Sequence, residues 1–306
     1  VRLSQATADL LHHHLLEGVV LRDLGDHYLR DLIQPEHIYQ VEAPDLPSNF
    51  PPLKTVRNQA HRLPTLTTHF VGREDELDRI ETLLQDPSCR LISLVGLGGS
   101  GKTRLSIQAA AQATGFPQGV YFVGLAAVNT LEGVISSLAE VLQTPLYVRP
   151  RTSLTLDAAQ AQVLSHLANQ KVLLVLDNCE HLIGGEASGF VELVADLLAA
   201  APRVKLIATP RERLNLPGEW VLEIAGLSFP DRDESRTIPS YAAVQLFVDR
   251  AQRTGSFAAE TPDWSSIARI CQLLGGMPLG VEMASGWAKT LSCQEIAASW
   301  SAICSH

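Results

Sequence analysis

Residues 94–105 read LVGLGGSGKTRL. Apolar residues run into a glycine-rich segment, then a lysine and a threonine follow, and helix-forming sequence resumes. Residues 96–103, GLGGSGKT, fit the spacing G-x-x-x-x-G-K-[ST]. Glycines let a short loop fold around an anion with its N–H groups pointing inward. The N-terminus of the following helix adds positive potential. Such a loop needs a buried strand before it and a helix after it. Both patterns are present: RLISLVG reads as a buried strand, and KTRLSIQAAAQA is rich in good helix formers. In this loop Lys102 would reach the β- and γ-phosphates of a nucleotide, and the Thr103 hydroxyl would ligate Mg²⁺.

Outward from the loop, strand and helix patterns alternate throughout residues 90–225. GVYFVGL, KVLLVL, VKLIAT and EWVLEIA read as further strands, with helical patterns between them at about 131–143, 155–169 and 189–200. KVLLVL is continuously apolar, as expected of a strand covered on both faces. The pattern predicts an α/β domain: a parallel five-stranded sheet flanked by helices. After Gly226 the strand signal stops. Helical patterns at about 240–253, 263–274, 279–289 and 293–300 predict a small all-helical domain.

A phosphate loop needs an acidic partner for its metal, and the end of a neighbouring buried strand is the natural place. In LVLDNCEH, residues 174–181, Asp177 fits that role. The adjacent Asn178 is neutral and cannot act as a base. Glu180, three residues beyond Asp177, either polarises water or is a solvated loop residue, and the sequence leaves both open. His181 reads as a packed or hydrogen-bonding loop residue, and Cys179 as inert. In IATPRERL, residues 207–214, Arg211 follows the fourth strand, where ligands of parallel sheets bind. Its paired donors suit the γ-phosphate, and Arg213 is the neighbour that would share the task. In GGMPLG, residues 275–280, a glycine pair stops one helix and proline starts the next. The Pro278 ring could also pack on a purine, and spacing alone does not choose.

The 306-residue chain is 46% apolar and 19% charged, ordinary for a globular protein, with a net charge of −9 that argues against a basic nucleic-acid binder. Five scattered cysteines, without a CxxC pair or a secretory apolar segment, point to reduced intracellular thiols and a cytoplasmic location. No apolar run approaches the length needed to span a bilayer. His12, His13 and His14 lack metal-ligand partners nearby in sequence. Residues 1–42 begin with a helix-like LSQATADLL, followed by strand-like GVVLRDLGDHYLRDL and EHIYQVE. At 43–64, Pro44, Pro47, Pro51, Pro52 and Pro64 mark a stiff, extended linker. The nucleotide domain is placed at 65–225 and the helical domain at 226–306.

FVGRE, LVGLGGSGKTRL, KVLLVLDNCEHL, LIATPRERL and GGMPLGVEMAS, in this order, resemble the STAND class of signalling ATPases, in particular the NB-ARC-like ATPases of bacterial transcriptional regulators. The resemblance covers about residues 64–300. It implies an AAA-like nucleotide domain and a helical domain closing over the base. Carried onto this chain, it places Val71 and Arg73 near adenine or ribose. It sets Gly98, Gly99, Ser100, Gly101, Lys102 and Thr103 around the phosphates, with Arg104 beside them. Asp177 would hold Mg²⁺, Arg211 would sense the γ-phosphate, and Pro278 would pack on adenine. The N-terminal segment resembles the tail of a class III nucleotidyl cyclase domain; without that domain's metal and substrate residues, no cyclase activity is expected.

Together these features predict an ATP/ADP-binding regulatory switch with slow Mg²⁺-dependent hydrolysis, hinged at residues 225–229 and able to self-associate with ATP. Its expected partners are an upstream cyclase and downstream effector modules, without membrane or direct nucleic-acid contact. The alternative is a conventional turnover ATPase of the remodelling type, which Asn178 disfavours.

Overall fold

A computed structural model describes residues 2–4, 7–8, 11, 19–27, 36–43, 61–144, 155–183, 189–230, 238–253 and 263–304. The His12–His14 triplet and most of the proline-rich stretch lie outside the described residues. The chain divides into two compact units, Val1–His61 and Arg62–His306.

In the first unit, β1 (Arg2–Ser4), β2 (Val20–His27) and β3 (Glu36–Glu42) form an antiparallel sheet in the order β1-β3-β2. The β2–β3 register shifts between Asp23 and Gly25. Thr7, Ala8 and Leu11 are helical.

The second unit is built on a parallel sheet of β5 (Leu91–Val95), β6 (Val120–Gly124), β7 (Leu173–Asp177), β8 (Lys205–Thr209) and β9 (Glu219–Glu223). Their spatial order is β6-β7-β8-β5-β9, all pairs parallel, with the two-residue strand β4 (His61–Arg62) at the edge beside β6. The five-stranded parallel sheet expected from the alternating patterns is therefore present. Strand β7 shows why its sequence is continuously apolar. Leu173 and Val175 face one core with Ile80, Leu105 and Ala109, while Leu174 and Leu176 face another with Ile135, Val163 and Leu193.

The first of these cores is covered by α1 (Glu74–Gln85) and α2 (Lys102–Gln112), the second by α3 (Leu131–Val141), α4 (Leu156–Leu167) and α5 (Phe190–Ala200). Glu74, Asp75 and Glu76 complement the positive end of α1. Thr130 and Thr155 cap α3 and α4, their hydroxyls accepting from the Gly133 and Ala158 amides.

After β9 the chain is helical: α6 (Ala242–Arg253), α7 (Trp264–Leu273), α8 (Pro278–Trp287) and α9 (Cys293–Cys304). Asp263 caps α7 by accepting from the Ser266 amide, and Pro278 opens α8 at its first turn. Phe247, Ile267, Ile270, Val281 and Ile296 form a core separate from those of the sheet. The helices nevertheless belong to the same compact unit as the sheet. One reason is a close backbone crossing. The Leu227 amide donates to the Gly276 carbonyl at 2.8 Å, and a Cβ on Gly276 would sit 2.0 Å from the Leu227 carbonyl oxygen. Gly276 also has φ 65°, which glycine adopts without strain.

Candidate nucleotide site

Strand β5 delivers the chain to the glycine loop, and α2 starts at Lys102. The Lys102 ammonium donates to the Gly96 and Leu97 carbonyls at 2.7 and 3.1 Å, so it lies folded across its own loop. Burial pushes its pKa down; Glu180 and Asp177 oppose that shift, and Arg211 adds to it. Ser100 is buried, and its hydroxyl has no hydrogen-bond partner among the described residues.

The neighbouring strand tips carry oxygen ligands. Asp177 ends β7, pairs in register with Thr209 at the end of β8, and is 8% exposed. Thr103 donates to Asp177 Oδ1 at 2.6 Å, and the Thr209 hydroxyl donates to the same oxygen at 2.7 Å. The Asn178 amide donates to Thr209 Oγ1 at 2.9 Å. Thr209 thus links the Asp177 carboxylate to the turn that follows it. The sequence reading did not single out Thr209; its signal is a hydroxyl at the tip of the strand beside β7.

Two hard oxygen ligands converge in the Thr103 hydroxyl and the Asp177 carboxylate. That set suits Mg²⁺, which takes one or two protein oxygens and completes its shell with phosphate and water. Among the described residues there is no cluster of three or more His, Cys, Asp or Glu side chains able to form a metal cage.

Beyond Asp177, Asn178 has φ 59°, in the left-handed region that Asn tolerates better than most residues. A short 3₁₀ turn, Glu180–Leu182, follows. Glu180 accepts from Arg211 Nε at 2.9 Å. With its nitrogen turned toward Glu180, the orientation that matches donors to acceptors, the Asn178 carboxamide donates to both carboxylate oxygens at 3.1 Å. The Arg211 side chain is 66% exposed and that of Glu180 21%. A Cβ on Gly98 would lie 3.9 Å from Arg211 Nη2, so this guanidinium borders the loop. The Arg213 side chain is not among these contacts; Arg213 lines a different depression, beside β9. His181 hydrogen-bonds the Val128 carbonyl at 2.6 Å, a loop contact. Cys179 is fully buried, and burial pushes its thiol up to about 12, with Glu180 adding to the shift, which leaves it unreactive.

On the other side of the loop, Val71, Arg73, Ser100, Gly101, Arg104 and Pro278 line one pocket. These six, from three separate stretches of sequence, are all among the expected nucleotide contacts. Pro278 sits against the loop: its Cγ is 3.6 Å from where a Gly101 Cβ would be. The Leu279 amide donates to the Gly99 carbonyl at 3.2 Å, and a Gly99 Cβ would meet Leu279 Cβ at 2.9 Å. The start of α8 therefore rests directly on the phosphate loop.

The arginines there have their hydrogen bonds in the protein. Arg73, buried at the start of α1, pairs with Glu76 and donates to the Ser100 and Ala225 carbonyls at 3.1 and 2.5 Å. It joins the loop to the segment leading into the helical domain. Arg104 donates to Thr68 and to the His69 carbonyl, and lies 3.8 Å from Glu282, which Arg250 of α6 engages at 2.8 Å. An ion-paired cluster thus ties α2 to α6 and α8. The sequence reading assigned no role to Glu282, inside GGMPLGVEMAS, or to Arg250, and the two come together only through the fold.

Among relatives, the chain is 36% identical to an uncharacterised protein of Mycobacterium tuberculosis over 233 residues, covering 76% of this chain and 53% of the relative. It is 35% identical to a protein of the same organism named as an HTH-type transcriptional regulator, over 209 residues, 68% of this chain and 21% of the regulator. The chain thus spans about half the length of the first of these relatives and a fifth of the second. Among solved structures it resembles a Walker-type ATPase of Pyrococcus abyssi, with a TM-score of 0.51 at 15% identity over 76% of this chain and 72% of the other, a likeness of fold. No helix among the described residues is long and apolar enough to cross a membrane. Residues 85–215 match the family model described as an AAA domain, and with the glycine loop and the strand order above, the second unit has a P-loop, AAA-like fold followed by a helical region.

Proposed function

We propose that the chain is an ATP/ADP-binding switch module with slow Mg²⁺-dependent hydrolysis, controlling the assembly or output of a longer signalling or transcription-regulating protein. The observation that carries this is the seating of α8 on the phosphate loop through Leu279, Gly99 and Pro278. A nucleotide between the two would contact both domains, so its affinity depends on how they are arranged. That dependence is the requirement for a switch. The relative named as a transcriptional regulator supports the kind of output.

In this reading the loop amides and Lys102 hold the phosphates, and Val71, Arg73, Arg104 and Pro278 border the base and ribose. Thr103 and Asp177 would hold Mg²⁺, which supplies charge neutralisation across the β- and γ-phosphates. Glu180 takes a proton from water as the water oxygen attacks the γ-phosphorus. The bond to the bridging oxygen breaks, and ADP and phosphate leave. The Arg211–Glu180 pair restrains this step. Exposed ion pairs are worth about 0.2–1 kcal/mol. A γ-phosphate, held by paired guanidinium donors, competes well for Arg211. The resemblance of residues 1–42 to a cyclase tail supports the reading of an upstream cyclase domain as a further module of the parent protein.

The test is to identify the nucleotide that copurifies and to measure turnover. Bound ADP with turnover well below about 1 s⁻¹ is expected. Fast multiple turnover would instead establish the alternative, a conventional remodelling ATPase. Lys102→Ala should abolish nucleotide binding with little change in melting temperature of the nucleotide-free protein.

A further inference from the structure

We infer that Asn178 is a positioning residue for hydrolysis, acting on Glu180. This rests on the reading of Glu180 as the group that takes the proton from water. On sequence alone, Asn178 is only the place where a base is missing. In the structure it reaches toward two carboxylates, Asp177 at the strand tip and Glu180 in the turn beyond it, through different atoms. Its main-chain N–H donates to Thr209 Oγ1, whose hydroxyl donates to Asp177 Oδ1. With its nitrogen turned toward Glu180, the orientation that matches donors to acceptors, its carboxamide donates to Oε1 and Oε2 of Glu180 at 3.1 Å each.

Glu180 is consequently gripped from two sides, by Asn178 and by Arg211. The two grips differ in permanence. Arg211 stands at the tip of an exposed side chain bordering Gly98, where an incoming phosphate competes for it. Asn178 is anchored through its own backbone at φ 59° and through Thr209, and its neutral carboxamide is drawn to phosphate less strongly than a charged guanidinium with paired donors is. When phosphate takes Arg211, Asn178 keeps Glu180 beside the loop instead of letting it swing into solvent. ATP thereby both removes the restraining cation and finds the carboxylate still in place. ADP, lacking the γ-phosphate, leaves the Arg211–Glu180 pair closed.

Asn178→Gly isolates this effect. Glycine accepts the left-handed backbone and keeps the N–H to Thr209, so only the carboxamide is lost. The full chain should keep its melting temperature and ATP affinity, while kcat falls about tenfold or more, as expected when a reacting group is left unaimed. Glu180→Gln should slow turnover similarly, and adding Asn178→Gly to it should cost nothing further. If Asn178→Gly turns over at the wild-type rate, or if the two losses multiply independently, the positioning role is overturned. If Glu180→Gln alone leaves turnover unchanged, the base assignment fails first and takes this inference with it.

Discussion

At the phosphate end of the site, Thr103, Asp177 and Thr209 meet through side chains at the ends of adjacent elements. At the base end the contacts are of another kind. Main chain meets main chain at Gly226–Leu227 and Gly275–Gly276, and Arg73 grips two carbonyls, Ser100 and Ala225. The first end is chemistry held by the sheet. The second joins two distinct hydrophobic cores. Substitutions at the first should change what the site does at little cost in stability. Substitutions at the second should cost stability and change how the domains answer to nucleotide.

The sharpest break in this contrast is Gly276→Ala. Its Cβ would lie 2.0 Å from the Leu227 carbonyl oxygen and 2.9 Å from Phe229 Cδ1, at φ 65°. Neither the backbone nor the left-handed conformation yields cheaply, so the expected loss is about 3 kcal/mol or more in a urea titration. The variant should also lose the extra stability that ATP confers on the helical part. An unchanged midpoint would mean the two backbones do not cross closely.

Arg73→Ala should come next. It leaves the Ser100 and Ala225 carbonyls without the guanidinium, and unsatisfied buried groups cost about 1–3 kcal/mol. A loss of about 2 kcal/mol is expected, together with weaker nucleotide affinity, since the loop carbonyl at Ser100 is one of the released partners. Affinity lost at unchanged stability would return Arg73 to a contact with the nucleotide itself, as the family resemblance implied.

These differences also explain what could be read from the sequence. GLGGSGKT, the apolar run ending in Asp177 and the alternation of strands and helices are local signals, because loop geometry, burial and periodicity are set within a few residues. They predict the parallel sheet and put the loop and Asp177 at the carboxyl ends of its strands. The orientation of Asn178 toward Glu180 is also short-range, yet no pattern shows it, since it depends on one backbone residue at φ 59°. Thr209, Glu282 and Arg250 find their partners only when β7 meets β8 and when α2 and α6 meet α8. Residue type alone cannot pair groups 32 or more positions apart.

Thr209→Val is the smallest change and tests the phosphate end on its own terms. Valine keeps the shape but removes the hydroxyl that donates to Asp177 and accepts from the Asn178 amide. The partly buried amide then lacks its partner, and about 1 kcal/mol of stability should be lost. With one restraint gone, the Asp177 carboxylate is less well aimed, so the Mg²⁺ concentration giving half-maximal turnover should rise severalfold while ATP affinity without metal stays the same. Thr209→Ser restores the hydroxyl and should restore the metal response, at a small packing cost from the lost methyl. If serine and valine behave alike, the methyl and not the hydroxyl is what this position contributes, and the phosphate end depends on packing as the base end does.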